Sequence, residues 1–237
     1  MSTIFDKLKI LYEIALLPRV TFVFDKGLMI QENVLEAYHH FNKRHPRLKV
    51  IKNKQIGVAY IDLIGYANGL SYLESINGKN SAYYYARKCK SRGYVLSEID
   101  RNKYRHEIAL IETSAPVRQG RSLGAGYGDF EKIYVNFDNY KYYGVKFNDQ
   151  LVAYANIGIY GDFACVSRLM GHAEHLNNGV MYLMLAEVIS SLIEQRNLHY
   201  IFYDTWYGAS AGLRGFKKKL GFAPCIARWR IGEKYEF

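Results

Sequence analysis

Residues 151–196 read LVAYANIGIYGDFACVSRLMGHAEHLNNGVMYLMLAEVISSLIEQR, and the order of patterns in this stretch decides the fold class. Leu151 to Tyr160 and Phe163 to Met170 are runs of strand length joined by the two-residue turn Gly161-Asp162. Upstream, Tyr142 to Phe147 meets the first of them through Asn148-Asp149, a turn signal of the same kind. Three successive strands joined by tight turns predict an antiparallel meander. A polar break, Gly171 to Gly179, leads into Val180 to Arg196, where Val180, Leu183, Val188, Leu192 and Ile193 recur at helical spacing. His199 to Trp206 then reads as a buried strand, Ala211 to Leu220 as a helix stopped by Gly221, and Cys225 to Ile231 as a last strand. The order β-β-β-α-β-α-β predicts an α/β fold with a mixed central sheet and helices on both faces. In such a sheet parallel neighbours can splay apart. A helix N-terminus aimed into the gap offers free N–H groups and a partial positive charge to a pyrophosphate.

Outward from that stretch the signals are weaker. Phe5 to Leu16 reads as a helix, Thr21 to Phe24 as a strand, Glu32 to Asn42 as a helix, and Val50 to Leu63 as an extended pair broken at Lys52-Asn53-Lys54-Gln55. Gly65 to Gly69 is a turn-rich break. Asn80 to Lys90 is a helix ended by Gly93, Tyr94 to Ile99 a strand, and Lys103 to Glu112 a helix that Asp100 can cap. Residues 1–75 are expected to form an N-terminal extension or sub-domain of the same globule, and residues 76–237 the main domain. No internal repeat or low-complexity linker appears.

Composition narrows the partners more than the fold. Hydrophobic residues make up 49% of the 237 and charged residues 23%, which is ordinary for a globular chain and argues against disorder. The 22 tyrosines suit a core, an interface or a base-stacking surface equally. A formal charge of +10 favours polyanions such as coenzyme A, an acidic carrier protein, nucleic acid or anionic lipid, although the basic residues are dispersed apart from Lys217-Lys218-Lys219. Cys89, Cys165 and Cys225 are far apart and lack a CxxC spacing, so neither a disulfide framework nor a structural zinc site is expected. The segment MSTIFDKLKILYEIALLPRV is too charged for a membrane span and has no cleavage pattern. A cytoplasmic protein is the expectation, with an amphipathic helix over residues 3–17 that could rest on a membrane or a partner.

The element order resembles the GNAT N-acyltransferase superfamily. The segment Gly212-Leu213-Arg214-Gly215-Phe216-Lys217-Lys218-Lys219-Leu220-Gly221-Phe222 is similar to the GLxxFKxxFG ending of its FemABX-like and related acetyltransferase-like branch. Arg118-Gln119-Gly120-Arg121 also looks like a segment of that branch. The resemblance covers about Asn80 to Ile231. It implies direct transfer of an acyl group from a thioester, or from an aminoacyl-tRNA in the FemABX case, to an amine, with no metal and no covalent enzyme intermediate. Acyl-CoA, acetyl-CoA first, is the implied donor. It would pair with main chain at Leu169, Met170, Gly171 and His172, and its pyrophosphate would sit on His175, Asn177, Asn178, Gly179 and Val180, where Asn177 or Asn178 could cap the helix. The chain departs from the family's Arg/Gln-x-x-Gly-x-Gly/Ala loop: Glu174-His175-Leu176-Asn177-Asn178-Gly179-Val180-Met181 keeps only Gly179. The tyrosine that many members carry as general acid is replaced by Lys217, so an acid such as Tyr207 must come from elsewhere.

Several residues could serve such chemistry. Asp204 lies at the end of an apolar strand, where burial raises a carboxyl pKa toward that of a useful base; a strand-end ion pair is its structural alternative. Arg118, Arg121 and Tyr127, set among Gly120, Gly124, Gly126 and Gly128, suit an anionic group of a substrate, or else anchor a glycine-rich surface loop. His172, Glu174 and His175 have neither the HExxH spacing nor a following PCxxC, so no metal is expected. The acceptor is read as an amine of a small molecule, sugar, peptide or modified nucleobase. The competing reading is a non-catalytic, basic nucleic-acid-binding protein in which Tyr stacks on bases and Lys/Arg pairs with phosphates. A scaffold that has lost its donor site is a third.

Overall fold

The computed structural model describes residues 4–46, 49–115, 117–118, 121–122, 124 and 126–233. Its centre is an eight-stranded mixed sheet. In chain order the elements are α1 (Ile4–Ala15), β1 (Arg19–Asp25), α2 (Glu32–Asn42), β2 (Ile56–Asp62), α3 (Gly69–Ser75), α4 (Ala82–Ser91), β3 (Val95–Glu98) and α5 (Arg105–Thr113). The short ribbon β4 (Val117–Arg118) and β5 (Arg121–Ser122) follows, then β6 (Tyr140–Phe147), β7 (Gln150–Ile159), β8 (Phe163–Gly171), α6 (Val180–Glu194), β9 (Tyr200–Thr205), α7 (Ala211–Lys219) and β10 (Ala223–Gly232). Spatial order in the large sheet is β1-β10-β2-β9-β8-β7-β6-β3.

The predicted meander β6-β7-β8 is antiparallel throughout, and Asn148 and Asp149 turn it at φ 49° and 61°. Both residues tolerate the left-handed region that a two-residue hairpin requires. The parallel crossover also forms, since β9 lies beside β8. β10 does not lie beside β9. β2 is inserted between them, antiparallel to each, and β1 pairs parallel to β10. Both strands from the first 75 residues thus belong to this one sheet.

Alternation along the strands separates two large cores, and a third, smaller cluster joins Ile108 and Ile111 of α5 to Leu151 and Tyr154 of β7. On β2, Ala59 and Ile61 face the cluster made with α3, α4 and α6, whereas Val58 and Tyr60 face the cluster made with α2. Val180, Leu183, Val188 and Leu192 of α6 are completely or almost completely buried, as their spacing demands. The other face is aromatic: Phe22 stacks on Trp229 at 4.7 Å between ring centroids, and Phe41 meets Trp229 at 4.8 Å. The hydroxyl of buried Tyr72 is satisfied by the Leu220 carbonyl, to which it donates at 3.0 Å, whereas those of Tyr134 and Tyr143 are buried without a partner among the described residues. All three cysteines are buried and free.

Three local expectations are corrected. Residues 50–55 are not a strand: the Lys54 amide donates to the Phe41 carbonyl and the Asn53 amide to that of Lys43, so this segment folds back on the end of α2 and only Ile56–Asp62 is extended. Asp100 does not cap α5. Its carboxylate accepts from the Asn102 amide in a preceding turn, and α5 starts five residues later without a side-chain cap. The break at Gly65–Gly69 opens a helix, α3, through a capping box in which Asn68 and Ser71 satisfy each other's amides.

Candidate active site

β8 and β9 pair over only three residues, Phe163 with Tyr200, Ala164 with Ile201 and Cys165 with Phe202, and then separate. Each wall of the gap carries an irregularity where it opens. Asn156 opposes Arg168 and Ile157 opposes Val166, so Ser167 is an extra residue on β8. Val58 opposes Thr205 and Tyr60 opposes Phe202, so β9 gains a residue across Tyr203-Asp204, and Asp204 takes φ 50°. Bulges bend and twist a strand locally, and here two of them turn adjacent strands away from each other.

A cavity opens from the gap on each face of the sheet. On the α6–α7 side, about 330 Å³ is walled mainly by apolar groups, among them Leu169, Met170, Gly171, Leu176, Met181, Leu213 and Phe216. On the α2 side, about 670 Å³ is lined by Glu36, His40, Lys54, Tyr140, Tyr160, Ser167, Phe202 and Asp204. Tyr203 lines both.

Charged groups converge beside Tyr203. Lys217 is wholly buried, its Nζ donates to the Thr205 carbonyl at 2.9 Å, and it stands 4.6 Å from the centre of the Tyr203 ring. Burial pushes its pKa down to about 8, with Asp204 opposing and Lys54 reinforcing the fall. Desolvation raises the Asp204 carboxyl, but the charge and hydrogen bond of Lys54, with Lys217 behind, outweigh it and hold the group below its ordinary value. The expectation that an apolar strand would raise this pKa therefore gives the wrong direction, because the partner that reverses it lies 150 positions away in sequence. Tyr203 is pushed up to about 12 by burial and by Asp204, so its phenol keeps its proton at neutral pH. His40 is held down by burial, Lys43 and Lys54, and is neutral there.

The other predicted residues fall in three places. Leu169, Met170 and Gly171 line the α6–α7 cavity. His172, His175, Asn177 and Asn178 occupy the connection from β8, which forms a 3-10 helix over Ala173–Asn178. Gly179 then starts α6 at φ 85°, where a side chain would also meet the Tyr85 carbonyl oxygen at 2.9 Å, and Val180 is buried. Neither asparagine caps the helix. Asn178 instead accepts from Arg92 and donates to Tyr94 Oη, and α6 begins with no side-chain cap, leaving its first N–H groups available. Tyr207 lines neither cavity; its ring lies on Gly57 of β2, whose missing side chain and φ of 67° permit the contact. Arg118 and Arg121 oppose each other across the β4–β5 ribbon, which touches the α6–α7 cavity through Val117. Their side chains, with Gln119 and Gly120, lie outside the described part of the structure. The Tyr127 ring lies 4.9 Å from the Arg168 guanidinium, whose Nη1 donates at 3.1 Å to the buried Glu112 carboxylate. The same carboxylate accepts from Tyr154 Oη at 2.6 Å and from the Gly128 amide at 2.9 Å.

Sequence reading missed Lys54, Tyr203 and Lys217 as members of the site. Lys217 carried one signal, its place in the C-terminal motif where related chains carry tyrosine. Lys54 carried none.

Comparison with solved structures bears on this geometry. FemX superposes with a TM-score of 0.55 at 9% identity, over 71% of this chain and 59% of that one. The chain has the GNAT fold. L-PGS from Bacillus licheniformis matches at TM-score 0.48 and 15% identity, over 72% of this chain and 59% of that one. The ribosomal-protein-S18-alanine N-acetyltransferase from Escherichia coli matches at 0.43 and 14%, over 61% of this chain and 99% of that one. This GNAT-fold chain spans about three fifths of the length of FemX and of L-PGS. No protein-family model and no curated protein matches the sequence. Among the described residues no helix is long and apolar enough to cross a membrane.

Proposed function

We propose that this GNAT-fold protein is an N-acyltransferase whose donor lies in the α6–α7 cavity and whose amine acceptor enters from the α2 side. One observation carries the reading: β8 and β9 part after Cys165 and Phe202, and the cavities on the two faces of the sheet share Tyr203. An acyl carbon in the gap is then reachable from both sides. The apolar walls suit a pantetheine arm beside Leu169, Met170 and Gly171, and the uncapped start of α6 at Gly179 and Val180 suits its pyrophosphate. Acyl-CoA, with acetyl-CoA as the first compound to try, is the donor this supports.

In the transfer, the amine nitrogen attacks the thioester carbonyl carbon, a C–N bond forms and the C–S bond breaks. The nitrogen gives up a proton and the departing sulfur takes one. Tyr203, protonated and common to both cavities, is better placed than Tyr207 to supply that proton. Lys217, buried behind the Tyr203 ring, adds positive charge near that tyrosine. On the acceptor side, ionised Asp204 attracts the amine, and neutral His40 on the same wall can take its proton.

A donor carried on RNA is the second reading. It is favoured by Lys219, which lies over the stacked, half-buried rings of Tyr85 and Tyr182 at 5.0 and 5.9 Å, a pairing of cation and aromatic of the kind that single-stranded nucleic acid uses. Thermal-shift titration with acetyl-CoA, longer acyl-CoAs and oligonucleotides separates these. Donor-selective stabilisation supports acyl-CoA. Salt-sensitive stabilisation by oligonucleotides alone supports the second reading or simple nucleic-acid binding, and no shift with any ligand rejects both.

A further inference from the structure

The connection between β8 and α6 has a feature apart from the uncapped N–H groups at the start of α6. His172, Glu174 and His175 bring one ligand atom each within 4.8 Å of one another. Among the described residues no hydrogen bond joins the three side chains, and His172 Nδ1 is buried without a partner. Two imidazoles 5.8 Å apart beside an exposed carboxylate gain little from each other. They gain much from a cation between them.

The surroundings are those of a ligand set held in place. His175 Nδ1 is 2.7 Å from Tyr94 Oη, and the same hydroxyl oxygen accepts from Asn178 Nδ2 at 2.9 Å. In the tautomer whose Nδ1 donates to Tyr94, the Nε2 lone pair of His175 can bind a metal, the usual division of labour on a ligating histidine. The Asn178 carbonyl oxygen is fixed in turn by Arg92 at 2.6 Å. The backbone is equally constrained, because the His172 amide donates to the Val152 carbonyl at 2.8 Å and the Ala173 amide to Ser114 Oγ at 3.0 Å. Zinc bonds of about 2.0–2.2 Å set tetrahedral ligand atoms roughly 3.4 Å apart. From 4.8 Å, side-chain rotation of about an ångström closes the set.

We propose that His172, Glu174 and His175 form a divalent transition-metal site, zinc by its ligand chemistry, on the connection between β8 and α6. This departs from the sequence reading, where the absence of a known spacing argued against any metal. Three protein ligands leave a coordination position open. Gly171 and Leu176, adjacent in sequence to the ligands, line the α6–α7 cavity. Resting on the acyl-donor reading above, the ion takes a phosphate oxygen of the donor and stands in for the basic, glycine-rich loop this chain lacks.

The test is calorimetric titration of the full chain with Zn²⁺, and of Co²⁺ as a spectroscopic probe, in the absence of any donor. The expected result is one ion per chain with Co²⁺ absorption typical of low coordination number. His172→Ala and Glu174→Ala each abolish this binding while the circular dichroism spectrum is kept. Tyr94→Phe, which removes only the support of His175, weakens it by about 10–100-fold. No binding by the wild type, or equal binding by His172→Ala and Glu174→Ala, overturns the site. Acetyl-CoA titration with and without chelator then tests the role. Donor binding weakened at least tenfold by chelation supports it, and binding indifferent to chelation refutes it. Zn²⁺ binding without any acyl-CoA binding would keep the metal site and reject the donor reading, so the two can fail separately.

Discussion

Replacing Lys217 by methionine should make the protein more stable at neutral pH and less active. Lys217 is completely buried, and its pKa falls from an ordinary 10.5 to about 8. A group whose folded pKa is depressed contributes stability that is complete above its unfolded pKa and is lost as pH falls through the folded one. Keeping this ammonium charged in the interior at pH 7 therefore costs roughly 3 kcal/mol relative to the deprotonated amine. Methionine of similar length avoids that cost but leaves the Thr205 carbonyl without its donor, a loss of about 1–2 kcal/mol. The net expectation is a gain of about 1–2 kcal/mol at pH 7. The gain should shrink and reverse between pH 8 and 10.5, where the folded wild type sheds the proton that its unfolded chain retains. Urea unfolding of both proteins at pH 7 and pH 10, compared as a difference so that other groups cancel, reads this directly. A destabilised Lys217→Met variant at pH 7, or a difference that does not change with pH, would refute the reasoning.

Other substitutions probe the remaining parts. Gly179→Ala forces a side chain into φ 85° and against the Tyr85 carbonyl, so a loss of about 1–3 kcal/mol is expected in thermal unfolding, with weaker donor binding. Glu112→Ala leaves Arg168, Tyr154 Oη and the Gly128 amide without a shared acceptor, and a destabilisation of about 3–5 kcal/mol should appear in denaturant melts. Asp204→Asn should lower turnover by about 10²-fold or more if this carboxylate organises the acceptor. Because the Asp204 pKa is depressed, its stabilising effect is present above the ordinary carboxyl value and fades as pH drops below it, so the variant should also unfold less steeply with acid than the wild type.

Much of the frame was legible because it is written in local patterns. The Asn148-Asp149 and Gly161-Asp162 turns, the helical recurrence from Val180 to Ile193 and the stop at Gly221 each follow from neighbouring residues. The insertion of β2 between β9 and β10 does not, since pairing partners far apart in sequence leave no periodic trace. The site divides the same way. Leu169 to Gly171 and Gly179 entered the proposed donor site through the family resemblance, which assigns that role to the end of this strand and the start of the next helix. The Lys54–Asp204 pair, the two facing bulges and the shared wall at Tyr203 depend on how distant segments meet. Even the direction of the Asp204 pKa was hidden in that contact.

The account stands on an acyl donor occupying the space between β8 and β9. Hydrogen–deuterium exchange with and without saturating acetyl-CoA measures this by peptide. Slower exchange confined to the end of β8, the 172–180 connection and α7 is the predicted result. Protection that maps to other segments while these stay unchanged would contradict it.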